Sequence, residues 1–226
     1  MALTLHYHPL SSYCHKALIA LYELDAPFTP AILNLMDPAE RERFLKISPM
    51  GKMPALEDTT RGETVTESSI IIEYLDQHYP GARPLLPTDA DTCLMARKMD
   101  RVFDLYVMTP LQKIIGDGFR PEDGRDTIGV AEAHATLKAA YGMLDRHFYG
   151  RTWAAGESFS LADCAAAPAL FYARTLEPFG EDNDLLAAYF ERLCERPSFA
   201  RVLMETRPWF HMYPRVDAVE ARFLAD

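Results

Sequence analysis

The chain is short of cysteine: four in 226 residues, Cys14, Cys93, Cys164 and Cys194, all far apart. No pair has the spacing of a metal clip and the histidines do not gather around them, which argues against structural zinc. In a reducing compartment these are free thiols, mostly small buried apolar side chains. Basic charge is also short, with 23 Lys and Arg against 33 Asp and Glu and a net charge of -10. That balance excludes nucleic acid as a general partner, and an anionic membrane surface as well. It leaves room for a local positive site that takes a small anion. No apolar run approaches the length of a membrane span, and Met1-Ala2-Leu3-Thr4 lacks a basic stretch followed by an apolar core. A cytoplasmic location is the expectation. Repeats and low-complexity tracts are absent too. What is present is a hydrophobic fraction of 49%, enough for a sizeable core in one large or two small domains.

Leu3 to Tyr7 alternates apolar and polar residues and reads as a strand. His8-Pro9-Leu10-Ser11-Ser12 is a loop. Tyr13 to Leu24 has helical spacing, and either serine can cap it. Phe28 to Leu35 reads as a second strand. Asp37-Pro38-Ala39-Glu40 then starts a short helix to about Ile47, with Asp as the cap and Pro at the first helical position. The run Met50 to Leu56 is interrupted by Pro54, which cannot donate a ladder hydrogen bond and so belongs at a sheet edge or a strand's first residue. An X-Pro corner is also where a cis peptide is tolerated. Glu63 to Thr66 returns as a strand, and Glu67-Ser68 opens the apolar helix Ile70 to Leu75. Polar residues at a helix N-terminus suit a bound carboxylate, and they equally suit ordinary capping. The order is β-α-β-α-β-β-α over residues 1–80.

Residues 81–88 are proline-rich and read as a linker. From 89 to 226 the pattern is helical throughout. Long helices are expected from Asp89 to Ile115 and from Thr127 to Phe148. The sequence Ser160-Leu161-Ala162-Asp163 is a capping box ahead of an apolar helix, Cys164 to Ala173, that Pro168 should kink. Further helices run from Asn183 or Asp184 to Glu195 and from Pro197 to Pro208. An aromatic tail and a short terminal helix follow.

An α/β module, a proline linker and an all-helical module, joined to three motifs, resemble the cytosolic glutathione S-transferases of the serine type, bacterial and theta/delta/zeta-like. The resemblance covers the whole chain. The first motif, Ser11-Ser12-Tyr13-Cys14-His15-Lys16-Ala17-Leu18, looks like the strand-loop-helix start that carries a catalytic serine. The second, Gly51-Lys52-Met53-Pro54-Ala55-Leu56 followed by Glu67-Ser68, is similar to the family's cis-proline turn and its Glu/Gln-Ser dipeptide. The third is the capping box at Ser160. The fold so implied is a thioredoxin-like glutathione-binding domain at 1–80, the linker at 81–88, and an all-α domain at 89–226 that forms the electrophile pocket. Glutathione is the implied cosubstrate, with no metal. A homodimer acting on a small apolar electrophile completes the expectation.

The chemistry agrees with the motifs. Met53 can pair with an extended tripeptide as a short strand would. The Ser68 hydroxyl and N–H suit the γ-glutamyl carboxylate, Glu67 suits the ammonium, and Lys52 can reach the glycyl carboxylate. A free thiol with a pKa of about 8.5 is only a few per cent thiolate at neutral pH. Lowering it by about two units takes roughly 2.7 kcal/mol, which one hydrogen bond to the anion and a helix N-terminus together supply. Ser11 is therefore read as a hydrogen-bond donor to the glutathione sulfur and not as a nucleophile.

Ser12 is the rival for that role. Cys14 falls at the inner of the two cysteine positions of related thioredoxin-type folds and reads as core, with a redox thiol as the alternative. Tyr7 is a pocket wall at most, and His15 is expected on an exposed helix face, with a role backing the site as the alternative. Leu10, Phe103, Tyr106, Val107, Phe210 and Tyr213 are candidates for the electrophile pocket, with core packing as the alternative. Asp100 or Asp104 either reaches a γ-glutamyl group across a dimer or lies on a solvated face. Rival activities are an isomerase of the maleylacetoacetate type, a peroxidase or thiol oxidoreductase using Cys14, and a non-catalytic binding protein of the same fold. Tyr13, His15, Ala17, Leu18 and Gly51-Lys52 depart from the isomerase pattern.

Overall fold

The computed structural model describes residues 2–224. Met1, Ala225 and Asp226, at the outer ends of the two expected domains, lie outside the described residues. The sheet has four strands in the order β2-β1-β3-β4. These are β1 (Leu3–Tyr7), β2 (Phe28–Ile32), β3 (Ala55–Asp58) and β4 (Glu63–Thr66). β1 pairs parallel to β2 and antiparallel to β3, with Leu5 opposite Pro30 on one side and Leu56 on the other. The parallel pair needs a crossover, which α1 (Ser12–Glu23) supplies. Alternation in β1 buries Leu3, Leu5 and Tyr7. Pro30 is tolerated because β2 is an edge strand. α2 (Pro38–Leu45) starts as its sequence predicts: the Asp37 carboxylate accepts the Ala39 N–H at 2.8 Å and the Glu40 N–H at 3.2 Å. α3 (Ser68–His78) follows β4 directly.

The helical half begins with α4 (Ala90–Val102), which passes into a π-helical turn, Phe103–Met108, and then into α5 (Thr109–Gly118). The single long helix expected from Asp89 to Ile115 is thus interrupted by a wider turn, a feature that insertions into helices often leave at functional sites. α6 (Thr127–His147), α7 (Leu161–Ala173), α8 (Asp184–Glu195), α9 (Pro197–Thr206) and the short α10 (Ala221–Leu224) complete the chain. Every residue of α7 is buried, and the helix runs unbroken through Pro168. α1 packs on α3, α7 and α9 and is itself buried from Cys14 to Leu21, so the two halves share one apolar core. No helix among the described residues is long and apolar enough to cross a membrane.

The capping box forms in altered geometry. Asp163 accepts the Ser160 N–H and the Ser160 hydroxyl, each at 2.9 Å, so the serine donates to the carboxylate. The other carboxylate oxygen takes the Ala154 N–H at 2.8 Å and the Tyr189 hydroxyl at 2.6 Å. One buried side chain therefore fixes the loop before α7, the start of α7 and the middle of α8.

Candidate active site

A cleft of about 530 Å³ opens between the sheet half and the α4–α5 segment. On one side it is lined by Ser11, Lys52, Met53, Pro54, Glu67 and Ser68, residues from three separate turns of the sheet half. Arg101, Asp104, Leu105, Thr109 and Gln112 form the facing wall. The fold thus brings together all six residues read from the sequence as the sulfur donor and the peptide-holding set.

Each turn is shaped by its residues. Gly51 has φ +62°, a conformation open to glycine at little cost, and a Cβ there would meet Leu45. The Met53–Pro54 bond is cis. β3 begins only at Ala55, so the Met53 main chain lies beyond the ladder and borders the cleft. Glu67 sits at the N-cap of α3 with φ +67° and ψ +112°, a conformation costing on the order of 1–3 kcal/mol for a residue with a Cβ. Its side chain makes no capping hydrogen bond, so the ordinary capping reading of Glu67 fails. Ser68, the first helical residue, is buried at the floor of the same corner.

Ser11 takes the N-cap position of α1 with extended backbone, and it too makes no side-chain capping bond. Its hydroxyl caps no backbone N–H of α1 and lies against the Cys14 thiol. Ser12 and Cys14 do not line the cleft: Ser12 is buried and Cys14 is wholly enclosed. Burial pushes the Cys14 thiol up to about 12, against partial offsets from the Ser11 hydroxyl and the His8 backbone. A thiol so placed is inert as a nucleophile at neutral pH.

Other candidates lie elsewhere. Phe103, Val107 and Phe210 are packed in the core, as is Tyr213, whose hydroxyl pairs with Thr175 at 2.7 Å. Leu10 packs against the core, and Tyr106 is half exposed outside the cleft lining. The reason is helical phase. Residues 101, 104, 105, 109 and 112 share the face toward the cleft, whereas 103 and 107 lie on the opposite face.

His15 is not exposed but fully buried. Its Nε2 donates to the Pro9 carbonyl at 2.5 Å and lies 3.1 Å from the Thr206 hydroxyl, which also donates to Pro9 at 3.0 Å. The loop leading into Ser11 is thereby pinned to α9. Burial pulls His15 down to about 4, so its ring is neutral.

Asp100 and Asp104 are buried, not solvated. Lys16, equally buried, pairs with Asp100 and holds Asp104 at 3.0 Å, and it donates to the Ser69 hydroxyl at 2.8 Å. Ser69 in turn donates to Asp100 at 2.9 Å. Arg101 closes the cluster at 2.8 Å from Asp100 and 2.5 Å from Asp104.

Sequence reasoning missed Tyr13, Arg101, Leu105, Thr109 and Gln112. A signal existed for the cluster: Lys16 falls inside the apolar pattern of α1, and a buried ammonium needs a carboxylate. Tyr13, between Ser11 and α4, has its phenol raised to about 12 by burial and then by Asp104, so it stays protonated.

Two family models match. Residues 5–83 fit the glutathione S-transferase N-terminal domain and residues 98–197 the C-terminal domain of the same family. A glutathione S-transferase-like protein of a Fusarium species is 31% identical over 161 residues, 70% of each chain. A stringent starvation protein A homologue of Pasteurella multocida is 26% identical over 198 residues, 87% of each chain. Among solved structures, a glutathione S-transferase of Methylobacillus flagellatus with glutathione bound superposes with a TM-score of 0.80 at 26% identity, over 88% of this chain and 98% of the other. Sheet order, cleft and sequence agree with these matches, and the chain belongs to the glutathione S-transferase family.

Proposed function

We propose that the cleft holds glutathione and that Ser11 donates its hydroxyl to the glutathione sulfur, activating it for attack on a small electrophile with an apolar face. The observation that carries this is the convergence on one cleft of Ser11, Lys52, Met53, Glu67 and Ser68, with neither Ser11 nor Glu67 making a side-chain capping bond to the helix it precedes. In this reading the main chain of Met53 aligns the tripeptide. Ser68 and the α3 N-terminus take the γ-glutamyl carboxylate, and Glu67 takes the ammonium. Lys52 takes the glycyl carboxylate. The cosubstrate supplies the nucleophilic thiolate. The protein's part is to stabilise that anion with the Ser11 hydroxyl and the N-terminus of α1. The electrophile lies beyond Ser11, against Leu105, Thr109 and Gln112. Asp100 and Asp104 serve their own chain and not a partner's site. The functional unit is a cytoplasmic homodimer built on the exposed apolar side chains of α3 and α4.

The expected outcome of Ser11→Ala is a fall of about a hundredfold in kcat/KM with a model aryl halide, with glutathione affinity by calorimetry within threefold of the parent. Unchanged turnover would remove Ser11 from the sulfur.

Likeness to the stringent starvation protein A homologue favours a second reading, a non-catalytic protein on the same fold. It predicts no calorimetric binding of glutathione at millimolar concentration. The buried Cys14 thiol gives no support to the thiol oxidoreductase alternative.

A further inference from the structure

We propose that Arg101 is a ligand of the γ-glutamyl carboxylate, supplied by the helical half of the same chain. This inference rests on the reading of the cleft as a glutathione site. Arg101 lies in the last turn of α4 and lines the cleft opposite Glu67 and Ser68, with its side chain 53% exposed. The inner edge of its guanidinium is fixed. Nε donates to Asp100 at 3.1 Å, and Nη2 donates to Asp100 and to the Ser69 hydroxyl, each at 2.8 Å, and to Asp104 at 2.5 Å. Nη1 makes no hydrogen bond to another group among the described residues.

Charge accounting explains why that free edge attracts an anion. Taken alone, Asp100 and Asp104 would cancel Arg101 and repel a carboxylate. Lys16 neutralises them from behind: its buried ammonium is paired with both. The four groups sum to zero, and the cation nearest the cleft is the half-exposed Arg101. Ser69, bonded to both Lys16 and Arg101, is the neighbour of Ser68 at the start of α3. A carboxylate on the Ser68 N–H and hydroxyl therefore faces a guanidinium whose orientation is already set. Such preorganisation lowers the entropy lost on forming the contact. Glu67, on the other side of Ser68, then faces the ammonium of the same γ-glutamyl group. The zwitterionic end is read by a pair of opposite charges, one from each half of the protein.

The test is a cycle between protein and peptide. The activity of the parent and of Arg101→Gln is measured with glutathione and with γ-aminobutyryl-cysteinyl-glycine, which lacks only the α-carboxylate. The readout is kcat/KM, which needs no saturation by the weaker peptide. For glutathione, Arg101→Gln is expected to lower kcat/KM about tenfold, as befits a charge-assisted contact that is partly screened. For the decarboxylated peptide the change is expected to stay within twofold, and Arg101→Lys should recover part of the loss with glutathione. Equal losses on both peptides, or no loss with glutathione, would overturn the assignment. A parent protein silent with both peptides would instead overturn the underlying glutathione reading.

Discussion

At the scale of single residues, the site depends on groups that the chemistry itself does not use. His15 holds the Pro9 carbonyl, two residues before Ser11, and its other ring nitrogen is buried with no partner. The ring must stay neutral, since its folded value of about 4 lies below the ordinary 6.5. The unfolded chain therefore binds the extra proton first. The stability His15 carries is full above about pH 6.5 and is lost as the pH falls toward 4. The limiting loss is about 3 kcal/mol for a shift from 6.5 to about 4. Denaturant unfolding between those pH values should show this decline in the parent. His15→Gln should flatten it by a similar amount; an unaltered slope would mean that other groups set the acid limit. The sequence alone favoured the surface for this histidine over a place behind the site. Its burial is imposed by α9, nearly two hundred residues downstream in the chain, which no local pattern reports.

At the scale of elements, the order β-α-β-α-β-β-α and the position of each long helix were legible, because period and caps are local properties. Asp37, Pro38 and the alternation in β1 act where they stand. What was not legible is helical phase beyond an irregularity. The π-turn at Phe103–Met108 sets which face of the continuing helix meets the cleft. That leaves Phe103 and Val107 in the core, and puts Thr109 and Gln112 at the opening. Asp163 is the clearest element-scale test. Asp163→Ala leaves the Ala154 and Ser160 N–H groups buried without acceptors. A loss of about 3 kcal/mol or more is expected in guanidinium unfolding, and Asp163→Asn should lose less. A shift below about 1 kcal/mol for the alanine variant would show that water replaces the carboxylate.

At the scale of the whole molecule, the two halves are joined by buried charge as well as by the apolar core. Lys16 of α1 meets Asp100 and Asp104 of the helical half, and Glu23 of α1 takes both ends of Arg196 at 2.8 and 2.6 Å. The sheet-half side of the cleft was readable as a motif because its residues cluster in short turns. The facing wall was not, because it comes from a helix that meets the sheet half only in the fold. The outer surface carries exposed Ile70 on α3, Leu94 on α4 and Tyr106 on the π-turn that continues it. If these form the proposed dimer face, sedimentation equilibrium should give a dimer for the parent and a folded monomer for Leu94→Glu. A parent that sediments as a monomer would contradict the proposed assembly.

The central claim is that Ser11 holds the glutathione sulfur as a thiolate. Its most direct measurement is the ultraviolet thiolate absorbance of enzyme-bound glutathione as a function of pH. The parent should ionise bound glutathione about two units below the free thiol value of about 8.5, and Ser11→Ala should return the midpoint most of the way toward it. Coincident titrations for parent and variant would contradict the account.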